Sequence, residues 1–251
     1  MSHTLAIVTG SSRGLGRALL QRLVAPGNCL LGIARREADL GARAAQAGAS
    51  LEQWPLDLAD APAVAQRLRA WLAAQDGNRF DRAILVNNAA FLSTPGPLDR
   101  SAIAELTTAA RVGLEAPLLL TAAFIDGTRT WPGRRQVLNI SSGLGRRAMA
   151  GSAAYCAVKA GMDHFSRAVA LEQAGEANGC RIESVAPGII DTDMQQQLRG
   201  ADAARFPEQA TFAGFHAQGQ LDTPDGAAAK LMRRLERADF GAEPVTDVRG
   251  G

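Results

Sequence analysis

Short β-rich runs alternate with longer stretches of helical periodicity six times along this chain, and that rhythm constrains its fold more than any other feature. The β-rich runs are 5–9, 29–34, 51–56, 83–88, 136–141 and 181–187, with a weaker last one at 244–248. Helical periodicity fills 14–25, 37–47, 60–74, about 100–124, 153–175 and 224–238. Such alternation predicts an α/β fold, with a parallel sheet of about seven strands and helices on both faces. In sheets of this kind ligands bind beyond the carboxyl ends of the strands, so the loops after each strand are where chemistry is expected. One segment, 189–222, breaks the rhythm and is too long for a mere connection; it is expected to be a substrate loop. No repeat, linker or low-complexity tract divides the chain, so 1–251 reads as one domain.

Composition narrows the functional classes. Apolar residues make up 47% and charged residues 21%, as in a globular protein with a good core. The net charge of +2 rests on scattered arginines with no basic block, which argues against nucleic-acid and membrane surfaces. The longest apolar run, APLLLTAAFI, is about half the length that a membrane-spanning helix requires. Residues 1–10 run into an apolar strand at once, with no basic region or cleavage signal. Cys29, Cys156 and Cys180 lie far apart without a CxxC, which argues against a disulfide framework or a metal site and for a reducing, cytoplasmic setting.

The first strand leads into TGSSRGLG, Thr9 to Gly16, which opens the first helix. Gly10 permits a tight turn, while Gly14 and Gly16 let backbone and helix approach a pyrophosphate. A helix start adds free N–H groups and a partial positive charge. Ser12, Arg13 and Leu15 complete this expected cofactor-binding loop. The second strand ends in GIARRE, with Ala34 and Arg35 where an acidic residue usually holds a free ribose 2′-hydroxyl. Arg13 and Arg35 instead suit a 2′-phosphate, which guanidinium groups grip through paired hydrogen bonds, so NADP(H) is the expected cofactor; Arg36 reads as solvent-facing. Asp57 and Leu58 after the third strand are placed to touch the adenine, and Asn87 and the small Ala89 after the fourth to let a cofactor lie close.

The stretch SAAYCAVKAGMDHF holds the chain's single tyrosine, Tyr155, and one of its two lysines, Lys159, against 25 arginines. Four residues apart on a helix, they share one face. Ser142, which closes the fifth strand, lies at the same sheet edge. Tyr155 can hand a proton to a carbonyl oxygen as a hydride reaches its carbon, and Ser142 can donate a hydrogen bond to that oxygen. An unperturbed phenol titrates near about 10, and a nearby ammonium is expected to lower that value. Lysine suits the place because its compact ammonium can reach under a phenol and bind ribose hydroxyls together, where a planar guanidinium would not, so Tyr155 and Lys159 are expected to touch the cofactor as well.

Taken in order, Thr9-Gly-x-x-x-Gly-x-Gly16, Asn87-Asn-Ala89, Ser142, Tyr155-x-x-x-Lys159 and Pro187-Gly188 with Thr192 resemble the short-chain dehydrogenase/reductase family over residues 4 to about 194. The resemblance implies a Rossmann fold, a nicotinamide cofactor and hydride transfer at a carbonyl or alcohol. It also implies that Pro187, Gly188, Ile189 and Thr192 hold the nicotinamide amide. The later chain, with DTDMQQQLRG, GQLDTP and VTDVRGG, is most similar to the sepiapterin and benzil reductase branch, whose enzymes reduce ketones or diketones with NADPH. That branch further suggests a substrate contact for Asp247. Helices near 100–124 and 153–175, rich in Ala and Gly, correspond to those through which family members form dimers or tetramers.

An apolar pocket for a hydrophobic carbonyl compound is expected from Met194, Leu198, Phe206, Phe212 and Phe215, faced by Leu144 and Met149. His3, His164 and His216 receive no role. The sequence departs from the family at Gly113, where a water-holding Asn is usual; the glycine is expected to leave room for an extra water or for substrate. The alternative is an NADP(H)-binding sensor of the same fold with weak or no turnover.

Overall fold

The computed structural model describes residues 3–249. Seven parallel strands form one sheet in the order β3-β2-β1-β4-β5-β6-β7. They are β1 (Thr4–Thr9), β2 (Cys29–Ala34), β3 (Ser50–Pro55), β4 (Arg82–Asn87), β5 (Arg134–Ile140), β6 (Arg181–Ala186) and β7 (Val245–Asp247). The helices are α1 (Gly14–Arg22), α2 (Gly41–Gln46), α3 (Ala61–Ala73), α4 (Ile103–Ala110), α5 (Ala116–Gly127) and α6 (Ala153–Ala174). They are followed by α7 (Asp193–Arg199), α8 (Gln209–Ala217) and α9 (Pro224–Glu236).

Side chains along a strand alternate between faces, and each face of the sheet is apolar. Leu5 and Ile7 of β1 pack with Leu68 and Leu72 of α3 and with Leu120 and Phe124 of α5. Ala6 and Val8 point the other way, onto Leu19 and Leu20 of α1 and Leu231 and Leu235 of α9. The order of strands reverses its direction of growth between β1 and β4, which opens a crevice at their carboxyl ends. Local signals set the helix starts: Thr223 Oγ1 accepts from Gly226 N–H at 3.0 Å, and Pro224 occupies the first position of α9.

The fold itself differs from the sequence reading in three places. The run near 100–124 is a helix from Ile103 to Gly127, interrupted by one π turn over Arg111–Glu115. It is long and apolar enough to cross a bilayer, but Leu120 and Phe124 sit in the core. Segment 189–222 is not an irregular loop, since α7 and α8 lie within it. Gly113 does not open a space: a Cβ there would stand 2.5 Å from Val158 Cγ1, so the α6 side chain already fills the volume expected for water. Gly113 lies within the π turn, which packs against α6, and π turns of this kind recur at functional sites.

Candidate active site

At the head of α1, Gly10 has φ 65° and Gly14 φ 52°, conformations that favour glycine. A Cβ on Gly10 would lie 2.8 Å from Asn88 Nδ2 and 3.0 Å from Ala89 Cα, so the segment that follows β4 presses directly on the loop. Thr9 and Asn88, which the sequence reading placed in motifs without a role of their own, lock this contact. Thr9 Oγ1 accepts from the N–H groups of Asn88 and Ala89, each at 3.0 Å, and Asn88 Nδ2 donates to Thr9 O at 2.9 Å. Arg13, which caps α1, makes no side-chain cap bond, so its helix start keeps free N–H groups of the kind that bind a pyrophosphate. Ser12 is half-buried on this loop and Leu15 is buried beneath it. The cradle therefore fits a dinucleotide on backbone shape alone.

Other expected cofactor residues divide. Arg35 is exposed at the end of β2 with no ion pair among the described residues. Arg13 is exposed and paired with Asp193 at the start of α7. Asp57 is exposed and accepts from Ala59 N–H at 2.9 Å. Two side chains turn away from the cleft. Leu58 belongs to the core with Trp54 and Val64. Asn87 is 1% exposed, and its Nδ2 donates to Asn139 Oδ1 at 2.8 Å and Thr121 Oγ1 at 3.1 Å. Both side chains face the helix layer, and it is Asn88 and Ala89 that lie against the glycine loop. Pro187, Gly188 (φ 84°) and Ile189 follow β6, and Thr192 caps α7. Thr192 Cγ2 lies 3.6 Å from where a Cβ on Gly14 would stand, so the two loops border one crevice.

Tyr155, Lys159 and Ser142 converge where β5 ends. Lys159 is 2% exposed, its Nζ donates to Ile140 O at 2.6 Å, and it lies 5.6 Å from the centre of the Tyr155 ring. Ser142 stands beside the Tyr155 hydroxyl, and its Oγ accepts from Leu144 N–H at 3.2 Å. The electrostatics reverse one expectation. Burial pushes the Tyr155 phenol up to about 12; the Ser142 bond opposes this and the Cys156 thiol adds to it. Burial likewise brings Lys159 down to about 8, with the Asp163 carboxylate opposing. The Lys159 ammonium, bonded to the Ile140 carbonyl, does not offset the burial of the phenol, which dominates.

Leu144, Met149 and the fully buried Phe206 form an apolar cluster, against which Tyr155, Cys156, Leu198, Ala201 and Phe212 pack. Phe215 meets Phe212 edge to face at 5.9 Å. Met194 is half-buried but outside the cluster. Polar bonds tie α7 to the body, among them Gln197 Nε2 to Leu92 O at 3.3 Å. Asp247 is held by Arg249 at 2.6 Å, with Arg146 at 3.9 Å. His164 and His216 are exposed.

A parallel seven-stranded sheet with a glycine cradle and a Tyr-Lys-Ser cluster beside it defines an oxidoreductase of the Rossmann type. The family model for short chain dehydrogenases matches residues 4–203, and the chain belongs to that family, whose members use NAD(P). A benzil reductase ((S)-benzoin forming) of Bacillus cereus is 30% identical over 93% of this chain and 94% of its own. A sepiapterin reductase of Meriones unguiculatus is 32% identical over 94% of this chain and 92% of its own. Among solved structures, a short-chain dehydrogenase/reductase from Burkholderia vietnamiensis is 36% identical, with a TM-score of 0.63 over 98% of this chain and 97% of that one.

Proposed function

We propose that this protein is an NADPH-dependent carbonyl reductase acting on a small, hydrophobic ketone or diketone. The observation that carries the reading is the meeting of Tyr155, Lys159 and Ser142 at the end of β5, on the sheet edge that also bears the glycine cradle. When bound, the dinucleotide supplies the hydride. Ser142 donates a hydrogen bond to the substrate carbonyl oxygen, and Tyr155 gives that oxygen its proton. A phenol held near about 12 is fully protonated at neutral pH, as a proton donor must be. Lys159, charged in most molecules below about pH 8, then stabilises the phenolate left behind. The apolar cluster around Tyr155 excludes water and supports a hydrophobic substrate, in keeping with the similarity to benzil reductase.

Gly10, Ser12, Gly14, Leu15, Gly16, Asp57 and Ala89, with the main chain of Asn87 and Leu58, are proposed to hold the dinucleotide, and Pro187 to Thr192 its nicotinamide end. Arg35 supports NADPH over NADH, because the position bears a cation and no carboxylate. Arg35→Ala is expected to raise KM for NADPH about tenfold or more and to leave KM for NADH unchanged, since a charge-assisted hydrogen bond contributes roughly 1.5–3 kcal/mol. Steady-state kinetics with both cofactors checks this. A homodimer or homotetramer in a cytoplasmic setting completes the reading. Ile103 of α4 and Leu171 of α6 are 82% and 80% exposed on the helices expected to pair, and all three cysteines are free.

The test is to mix the protein with NADPH and a panel of aromatic and aliphatic diketones and to follow the nicotinamide absorbance. Consumption that depends on the diketone is the expected result. NADPH binding without consumption of any panel member would favour the sensor alternative.

A further inference from the structure

We infer that Asp163 is a positioning residue of this site, one that supports the turn presenting Ser142 and sets its carboxyl group one helical turn beyond Lys159. The inference rests on the reductase reading above. Four consecutive residues at the end of β5 each meet a residue on one face of α6. Asn139 Nδ2 donates to Ser166 Oγ at 2.9 Å, and Ile140 O accepts from Lys159 Nζ at 2.6 Å. Ser141 Oγ donates to Asp163 Oδ1 at 2.5 Å, and Ser142 stands beside Tyr155. Tyr155, Lys159 and Asp163 are spaced four apart, so they stack along the helix.

Asp163 is 1% exposed, and a carboxylate buried without a cation on its oxygens is costly unless something else in the site uses its charge. Its Oδ1 takes two hydroxyl donors, from Ser141 and from Ser184 of β6 at 2.7 Å. Its Oδ2 has no hydrogen-bond partner. A Cβ on Gly145 would stand 2.6 Å from that Oδ2 and 2.9 Å from Lys159 O, so the turn that follows Ser142 rests on this carboxylate and on the backbone of Lys159.

Other ionisable groups on the elements packed against α6 are committed elsewhere or face solvent. Glu183 of β6 binds Arg234, and Asp247 of β7 binds Arg249. Glu105 of α4 accepts from Thr94, and Asp126 of α5 binds Arg69. Arg111 and Glu115 of the π turn are exposed, as is Arg134 at the start of β5, while Arg135 is bonded to the carbonyls of Ile125 and Asn178. Cys156, the neighbour of Tyr155, is a free thiol. Asp163 is thus the carboxylate that opposes desolvation of the Lys159 ammonium.

With two lysines in the chain, the experiment can read Lys159 directly. Protein labelled with ¹³C at lysine Cε is titrated by NMR in a Lys230→Arg background, where the remaining signal belongs to Lys159. The expected midpoint is about 8 in the parent. It should fall by about one pH unit in Asp163→Asn, because removing a nearby opposite charge disfavours the charged form. Asp163→Ser, a smaller neutral side chain, serves if Asn crowds Gly145, and the same fall is expected. Ser184→Ala, which loses a bond but keeps the carboxylate, should melt lower with the midpoint unmoved.

Turnover of Asp163→Asn should fall at least about threefold at pH 7.5, the loss of protonated Lys159 that the shifted midpoint brings, with the dissociation constant for NADPH within about twofold of the parent. An unmoved midpoint in the neutral variants, an equal shift in Ser184→Ala, or unchanged turnover would overturn the assignment. Absence of ketone reduction by the parent protein would instead sink the reductase reading, and the midpoints would still report on Asp163.

Discussion

Tyr155→Phe is expected to lower ketone turnover by about 10² to 10⁴ while leaving NADPH binding within a few-fold of the parent. The substitution removes one oxygen from a ring that stays packed against Leu144, Met149 and Phe206, so the apolar cluster keeps its shape. What disappears is the proton donor and its interaction with Ser142. Single-turnover rates report the chemistry, and nicotinamide fluorescence reports binding. Turnover within tenfold of the parent would mean that another group supplies the proton. The pH dependence carries a sign as well. The phenol keeps its proton to about pH 12, so it does not limit the rate at ordinary pH. Lys159 loses its charge as pH rises through about 8, and reduction is therefore expected to decline above that point.

Gly16→Ala should be the most damaging single methyl group in the cradle. Its Cβ would overlap the Gly10 carbonyl and stand 2.5 Å from Asn88 Nδ2. A carbonyl of a tight turn cannot swing aside as a flexible side chain can, and Asn88 is itself tied to Thr9. Overpacking of this kind costs about 1–3 kcal/mol. Here the strain falls on the loop that receives the pyrophosphate. The dissociation constant for NADPH is expected to rise about a hundredfold, with a lower Tm. Gly41→Ala is the control, since a Cβ there meets nothing within 4 Å, and its binding and melting should match the parent. Fluorescence titration and thermal melting decide it; near-normal affinity in Gly16→Ala would show that the cradle is not where the cofactor sits.

Much of this architecture was legible because its signals are local. Strand and helix periods are written over five to twenty residues, and a glycine loop between strand and helix carries its own geometry. The spacing of Tyr155 and Lys159 was equally plain, since four residues on a helix define a face whatever surrounds them. The rest depends on pairs distant in sequence. Nothing near Gly113 announces that Val158 fills the space beside it. Asn87 and Asn88 are chemically identical, and only the register of β4 decides which one turns toward the helices and which toward Thr9. Asp163 reads as an ordinary polar position on a long helix until Ser141 and Ser184 are brought to it from two strands. The direction of the Tyr155 shift was missed for a related reason: the distance to a cation is partly legible in sequence, but the depth of burial is not.

The pairing of Arg13 with Asp193 has a consequence for behaviour in different buffers. It joins the cradle to the first residue of α7 through two side chains that are 71% and 60% exposed. An ion pair so open to water contributes at most about 1 kcal/mol and weakens as dissolved electrolyte screens it. The edge of the crevice between cradle and α7 is therefore held by a tether that ionic strength can slacken, whereas the buried rungs between β5 and α6 lie beyond the reach of added salt.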